Sequence, residues 1–270
     1  MTFVSASVTA IFSPFIHERP EKSGSYGVGF TIDSGVEARL SDGDGILLNG
    51  KKFLISPVEI VLEELDESGI TLETDLPISC GFGVSGASAL ASGIEVSVRR
   101  NLGLSLMEVA DLAHKAEVLC RTGLGDVVTQ FHGGVVARIK PGSPSKSEVR
   151  RYPFSQKIDF LVLGKISTRD VLEDEIKREN VRKAGKKYLK EFLKSPSTDN
   201  LFRCSKLFAV ESGLMDDEIA DVIEAVESGG GMASMVMLGR AVFAVNGKKA
   251  FDEFKGQKFS AKITTCGVKI

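Results

Sequence analysis

Between Leu76 and Ser92 the chain reads LPISCGFGVSGASALAS. The strand-like stretch ITLETDLP delivers the chain to this segment, and beyond it Ala87, Leu90, Ala91, Ile94 and Val98 recur at helical spacing. The segment is therefore a glycine- and serine-rich junction between a strand and a helix N-terminus. Helix N-termini gather anions because their first N–H groups lack partners and the macrodipole is positive there, and glycines let the backbone approach a phosphate closely. It is not a Walker loop, since no G-x-x-x-x-G-K-[ST] is present. Its glycine spacing leaves two readings open, a phosphate cradle or a strand-to-helix turn built from small residues.

The flanking sequence places this junction in a mixed α and β chain. Residues 2–12, YGVGFTID and GVEARL read as strands, and GILLNG followed by KKFLIS reads as a hairpin across Asn49-Gly50. Pro57, Val58, Val61, Leu62 and Leu65 predict a short helix ending near Gly69. A further helix starts at Ser105, which with Glu108 forms the capping box S-x-x-E, and its inward stripe is Leu106, Val109, Ala110, Ala113, Ala116 and Cys120. TGLGDVVTQFHGGVVARI predicts a glycine-punctuated turn carrying Asp126, then a strand after Gly133-Gly134. PGSPSKSEVRRYP is the most loop-like stretch and sets a domain boundary near residues 141–155. Beyond it the pattern predicts a strand at KIDFLVLG, a long helical region, and a helix over DDEIADVIEAVESGGG. Paired strands at MASMVMLG and RAVFAV, a short helix around Ala250–Phe254 and a last strand at SAKITT complete the chain.

Composition narrows the function classes. At 270 residues the chain exceeds the usual size of one compact core, and a formal net charge of −2 supplies no basic field for nucleic acid or an anionic membrane. An anionic ligand must then be met locally. Cys80, Cys120, Cys204 and Cys266 are far apart with no C-x-x-C pair, which suits free thiols in a reducing cytosol. The amino-terminal stretch lacks a basic n-region and a bilayer-length apolar span, so the expectation is a soluble cytoplasmic protein. With three histidines and these cysteines, a metal here should be one that accepts oxygen ligands.

Glu117 falls on the apolar stripe that begins at Ser105. A carboxylate on a core-facing line is costly unless it is paired or bound to a cation, so a salt bridge, a rim position and a metal ligand all remain open. Asp126 has a similar ambiguity, because aspartate after glycine is a common turn residue or helix cap.

Read together, three segments resemble one family. PISCGFGVSGASALA resembles the P-x-x-x-G-L-x-S-S-A signature of the galactokinase, homoserine kinase, mevalonate kinase and phosphomevalonate kinase superfamily, the GHMP kinases. TGLGDVV resembles its acidic turn, and SGGGMASMVMLG its late glycine-rich loop. SASVTAIFSP, GLGDVVTQFHGG, LGKISTRDVL and MASMVMLGRAVFAV are most similar to the archaeal pantoate kinase branch. The resemblance implies a two-domain α+β fold. Residues 1–150 would form an N-terminal α/β domain and residues 151–270 a C-terminal ferredoxin-like domain, with the active site in the cleft between them.

It also implies ATP and Mg2+ as cofactors and pantoate as the acceptor, in coenzyme A biosynthesis, with no nucleic-acid or membrane partner; a homodimer stays open. Carried over by position, Pro77, Gly81, Gly83, Val84, Ser85, Gly86, Ala87 and Ser88 match the ATP-binding loop. Ser85 and Glu117 match the metal ligands, and Asp126 the acid that takes the proton of the acceptor hydroxyl. Thr9, Arg138, Ser167, Thr168 and Arg169 are the candidates for holding the acceptor, whose carboxylate calls for a cation or N–H donors. Two departures stand out: SASVTAIFSP lacks the lysine that several members carry, and Val84 and Gly86 replace the usual serine and alanine, leaving Ser88 able to share the role of Ser85. Homoserine, mevalonate or shikimate as acceptor, and a non-catalytic nucleotide sensor, are the competing readings.

Overall fold

The computed structural model describes residues 1–165 and 175–270. Two sheets organise the chain. The first is built on two long strands, β1 (Thr2–Phe15) and β2 (Gly24–Leu40), which run antiparallel with register shifts between Ser5 and Ser7 and between Thr9 and Ile11. These shifts bend the pair and fix its alignment. YGVGFTID and GVEARL thus form one continuous strand instead of two. On its outer edge β2 forks: its beginning pairs with β6 (Val135–Lys140) and its end with β5 (Gly69–Glu73).

The hairpin expected at Asn49-Gly50 is present between β3 (Gly45–Leu48) and β4 (Lys51–Lys52), with φ of 49° and 75° at the two turn residues. Both angles are positive, as a tight hairpin turn demands and as Asn-Gly readily supplies. Strand β3 lies parallel to β5. Helix α1 (Ser56–Glu64) starts at the expected serine and proline but stops earlier than Gly69, with Asp66 in the left-handed region.

α2 (Val84–Arg100) and α3 (Leu106–Cys120) follow, and the Ser105–Glu108 capping box closes in both directions. Val109, Ala110, Ala113 and Ala116 are buried as the stripe predicts, whereas Leu106 is exposed because it sits one residue past the cap. The acidic turn is shorter than expected: α4 (Asp126–His132) begins at Asp126 itself. EVRRY is also not loop. It forms β7 (Glu148–Tyr152) at the sheet edge beside β6, its alternating charges leaving little apolar signal.

The second sheet has the antiparallel order β11-β8-β10-β9, from β8 (Lys157–Gly164), β9 (Met232–Met235), β10 (Arg240–Val245) and β11 (Gln257–Lys262). That order is the ferredoxin-like one. Between β8 and β9 lie α5 (Glu175–Lys194), α6 (Thr198–Ser212) and α7 (Asp217–Ser228); α8 (Lys248–Phe251) precedes β11. The last strand, β12 (Val268–Lys269), returns to the first sheet and pairs with β1.

The two sheets share one apolar core. Phe30 of β2 meets Phe243 of β10 edge-to-face at 5.4 Å between centroids, and Phe82 packs on Phe160 and Phe259 at the same 5.4 Å spacing. Helix α5 lies directly on β1: a Cβ on Gly185 would come within 2.0 Å of the Phe12 carbonyl oxygen, and the buried Ser13 hydroxyl donates to the Arg182 carbonyl. No described helix is long and apolar enough to cross a membrane.

Candidate active site

A cleft of about 440 Å3 opens where the N-terminus of α2, the end of α3, the start of α4 and the β9–β10 turn converge. Gly81, Gly83, Val84 and Ser85 of the sequence-predicted loop line it, as do Thr9 and Asp126. Gly86, Ala87 and Ser88 are buried on the core side of α2, and Pro77 lies upstream of the cleft. Ser167, Thr168 and Arg169 lie outside the described residues.

Helix α2 begins after Gly83, itself left-handed, with no capping side chain and no acid in its first turn. Its first N–H groups therefore point toward the cleft without a side-chain acceptor, the condition that favours a phosphate. The loop before it is held from both sides. The Gln130 amide donates to the Gly83 carbonyl at 2.8 Å and to the Ser7 hydroxyl at 3.1 Å. Across the cleft, a Cβ on Gly81 would meet Val236 Cγ1 at 2.7 Å, and one on Gly239 would meet the Cys80 carbonyl oxygen at 2.0 Å. Only glycine permits the two loops to lie this close.

Asp126 opens α4 beside this loop. Its Oδ1 accepts a hydrogen bond from Ser7 at 2.9 Å. Burial pushes its carboxyl above the ordinary range, while the Ser7 hydroxyl, the Arg138 charge and the Thr9 hydroxyl pull it back. Arg138 is fully buried rather than solvent-exposed. Its guanidinium donates to the Thr129 hydroxyl at 2.6 Å and to the Ser25 carbonyl at 3.3 Å, and Nη2 has no partner. Burial lowers its pKa to about 10, against the opposing effect of Asp126.

Glu117 is the second acid, and among the described residues it is in no salt bridge. It is only 1% exposed, Oε1 accepts from the Thr122 hydroxyl at 2.8 Å, and Oε2 has no partner. Burial, then repulsion from Asp126, carry its pKa up to about 7, against the hydroxyls of Thr122 and Ser85. A Cβ on Gly123 would sit 2.2 Å from Oε2, so the acidic turn must be glycine there to pack over the carboxylate. Two neighbouring carboxyl groups, one with an orphan oxygen and a serine hydroxyl beside it, suit a hard cation with few protein ligands. Among the described residues no group of three or more His, Cys, Asp or Glu side chains forms a larger metal cluster.

Several residues in the cleft and behind it carry little sequence signal. Ser7 and Gln130 were hidden because hydroxyl and amide groups in apolar runs carry no distinct signal; Thr122, inside the T-G-x-G-D turn, was the one most open to discovery. Lys165, at the end of β8, puts a cation on the cleft wall and lowers the Cys80 thiol that burial raises. The late glycine-rich segment follows the expected order, glycines at the end of a helix and then a strand. Gly229, Gly230 and Gly231 close α7, and the turn that reaches the cleft is Val236–Gly239, through Met237 and Leu238.

Residues 53–134 match the family described as GHMP kinases N terminal domain. The chain belongs to the GHMP kinase family. Three relatives that match over most of the chain at 30–33% identity are pantoate kinases. That of Methanocaldococcus jannaschii is 33% identical over 93% of this chain and 94% of its own, and that of Thermococcus kodakarensis is 33% identical over 90% and 86%. A solved structure described as a phosphotransferase related to the CoA biosynthesis pathway superposes with a TM-score of 0.89 at 29% identity, covering 99% of this chain and 97% of that one.

Proposed function

We propose that this protein transfers the γ-phosphoryl group of ATP to the primary hydroxyl of D-pantoate, giving 4-phosphopantoate and ADP on the way to coenzyme A. The observation that carries this reading is the pairing of Asp126 with the orphaned carboxylate oxygen of Glu117 at the foot of an uncapped helix, in a chain with three pantoate kinases among its relatives. In this reading the loop from Gly81 to Ser85 receives the ATP phosphates, with Gly86, Ala87 and Ser88 shaping the helix behind it and Pro77 turning the chain into it.

Ser85 and Glu117 would hold Mg2+, which when bound neutralises phosphate charge. Asp126 accepts the hydroxyl proton as the new O–P bond forms and the bond from the γ-phosphorus to the β,γ-bridging oxygen breaks, leaving ADP. Phosphoryl transfer runs through a loose transition state, so holding the reactants in line is most of the catalytic work. The Ser7–Gln130–Gly83 chain of hydrogen bonds supports that role, because it ties the base to the phosphate cradle. Arg138 supplies a buried positive charge that opposes the rise burial gives the Asp126 carboxyl, and Thr9 stands beside the position the acceptor hydroxyl would take. Lys165 adds a positive charge on the cleft wall. We place the division between the two structural units at residues 1–150 and 151–270, with the second sheet carrying the turn that closes the cleft.

The test is ADP release from ATP and magnesium with D-pantoate, pantothenate, homoserine, mevalonate and shikimate in parallel. Turnover on pantoate alone is expected. Turnover on another acceptor would discard the pantoate assignment and keep the kinase; none on any, in protein that binds ATP, would favour the sensor.

A further inference from the structure

Among the described residues, seven that are not glycine have positive φ. Four are Asn49, Asp66, Asn101 and Asn246, the residue types that tolerate this conformation. The other three, Ser79, Arg121 and Leu238, all line the cleft. Strained backbone gathers where a site needs a side chain that ordinary geometry would not supply.

Leu238 is the least expected of the three. The Gly239 N–H donates to the Val236 carbonyl at 3.2 Å, closing a four-residue turn whose third member is Leu238, with φ of 64°. A turn with positive φ at that position ordinarily carries glycine or asparagine. The polar end of the cleft is nearby: the Met237 N–H donates to the Thr9 carbonyl at 3.1 Å, and Thr9 is the residue whose hydroxyl acts on Asp126. The turn thus stands at the proton-accepting end of the cleft, against the phosphate loop at Gly81.

We infer that Leu238 is a specificity-determining residue whose side chain packs against the apolar, doubly methylated carbon between the two ends of the acceptor. This rests on the functional reading above. Pantoate differs from 2,4-dihydroxybutanoate only in those two methyl groups, and an apolar wall is what distinguishes the pair.

The experiment compares kcat/KM for D-pantoate and for 2,4-dihydroxybutanoate in the unaltered protein, Leu238→Gly and Leu238→Ala. Glycine removes both the side chain and the strain, and alanine removes the side chain while keeping a Cβ at positive φ. The expected result is a preference for pantoate over the demethylated acid that falls about tenfold in both variants, within the range one or two methyl groups command in an apolar pocket. KM for ATP should be unchanged, and Leu238→Gly should keep its thermal midpoint within about 3 °C, showing that the fold is intact. An unchanged preference in both variants, or a KM for ATP that rises as much as that for pantoate, would overturn the inference while leaving the pantoate kinase reading in place. Absence of pantoate turnover in the unaltered protein would overturn both.

Discussion

Asp126 and Glu117 are two carboxyl groups in one buried setting with different partners, and their variants should separate. Asp126→Asn keeps the shape and the Ser7 contact but cannot accept a proton. Turnover should fall by about 10²–10⁴-fold with ATP affinity retained, read by single-turnover kinetics and calorimetric titration. For Glu117 the readout is pH. Its carboxyl moves from an ordinary value of 4.5 to about 7 on folding, so between these values the native state binds more protons than the unfolded chain and stability falls as pH rises. Its contribution is present below about pH 4.5 and lost by the time pH passes about 7. In chelator, the midpoint of Glu117→Gln relative to the unaltered protein should therefore climb across that window. Parallel pH curves in chelator would deny the shifted titration; magnesium should restore the unaltered protein and leave Glu117→Gln unmoved, and an equal magnesium response in both would deny Glu117 the cation.

At the scale of elements, the glycine loop, α3 and the β9–β10 turn each had a sequence signature of different strength. The Ser105–Glu108 box predicted the start of α3 to the residue because capping is local chemistry, and the Asn49-Gly50 turn was legible for the same reason. Strand β7 and the helix beginning at Asp126 were not, since their identity depends on pairing and packing with residues far along the chain. The glycine loop was recognisable as a loop, but its confinement by Val236 and Gly239 comes from a segment more than 150 residues away. Two substitutions probe these elements. Ser105→Ala should cost about 1 kcal/mol in chemical denaturation with kcat/KM unchanged, because the cap lies at the end of α3 remote from Glu117. Gly81→Ala places a Cβ at a φ of 87° and 2.7 Å from Val236, so a loss of about 1–3 kcal/mol and a raised KM for ATP are expected.

Across the whole molecule, one apolar core spans both sheets, with Phe30 and Phe243 in contact between them and β12 returning to the edge of β1. Calorimetry should accordingly show a single unfolding transition, shifted upward by ATP with magnesium through ligand linkage. Two resolved transitions would mean that the second sheet melts alone. The first strand has a further role in this unity. Ser7 and Thr9 face Asp126, while Ala6, Val8 and Ala10 alternate with them into the apolar core. A chain threaded one residue out of register would turn methyl groups toward the acid and its hydroxyls into the apolar core. Such a molecule would match the native one in size and helical content, yet it would be silent as a catalyst. Specific activity in a preparation of this protein is therefore a census of correctly threaded molecules.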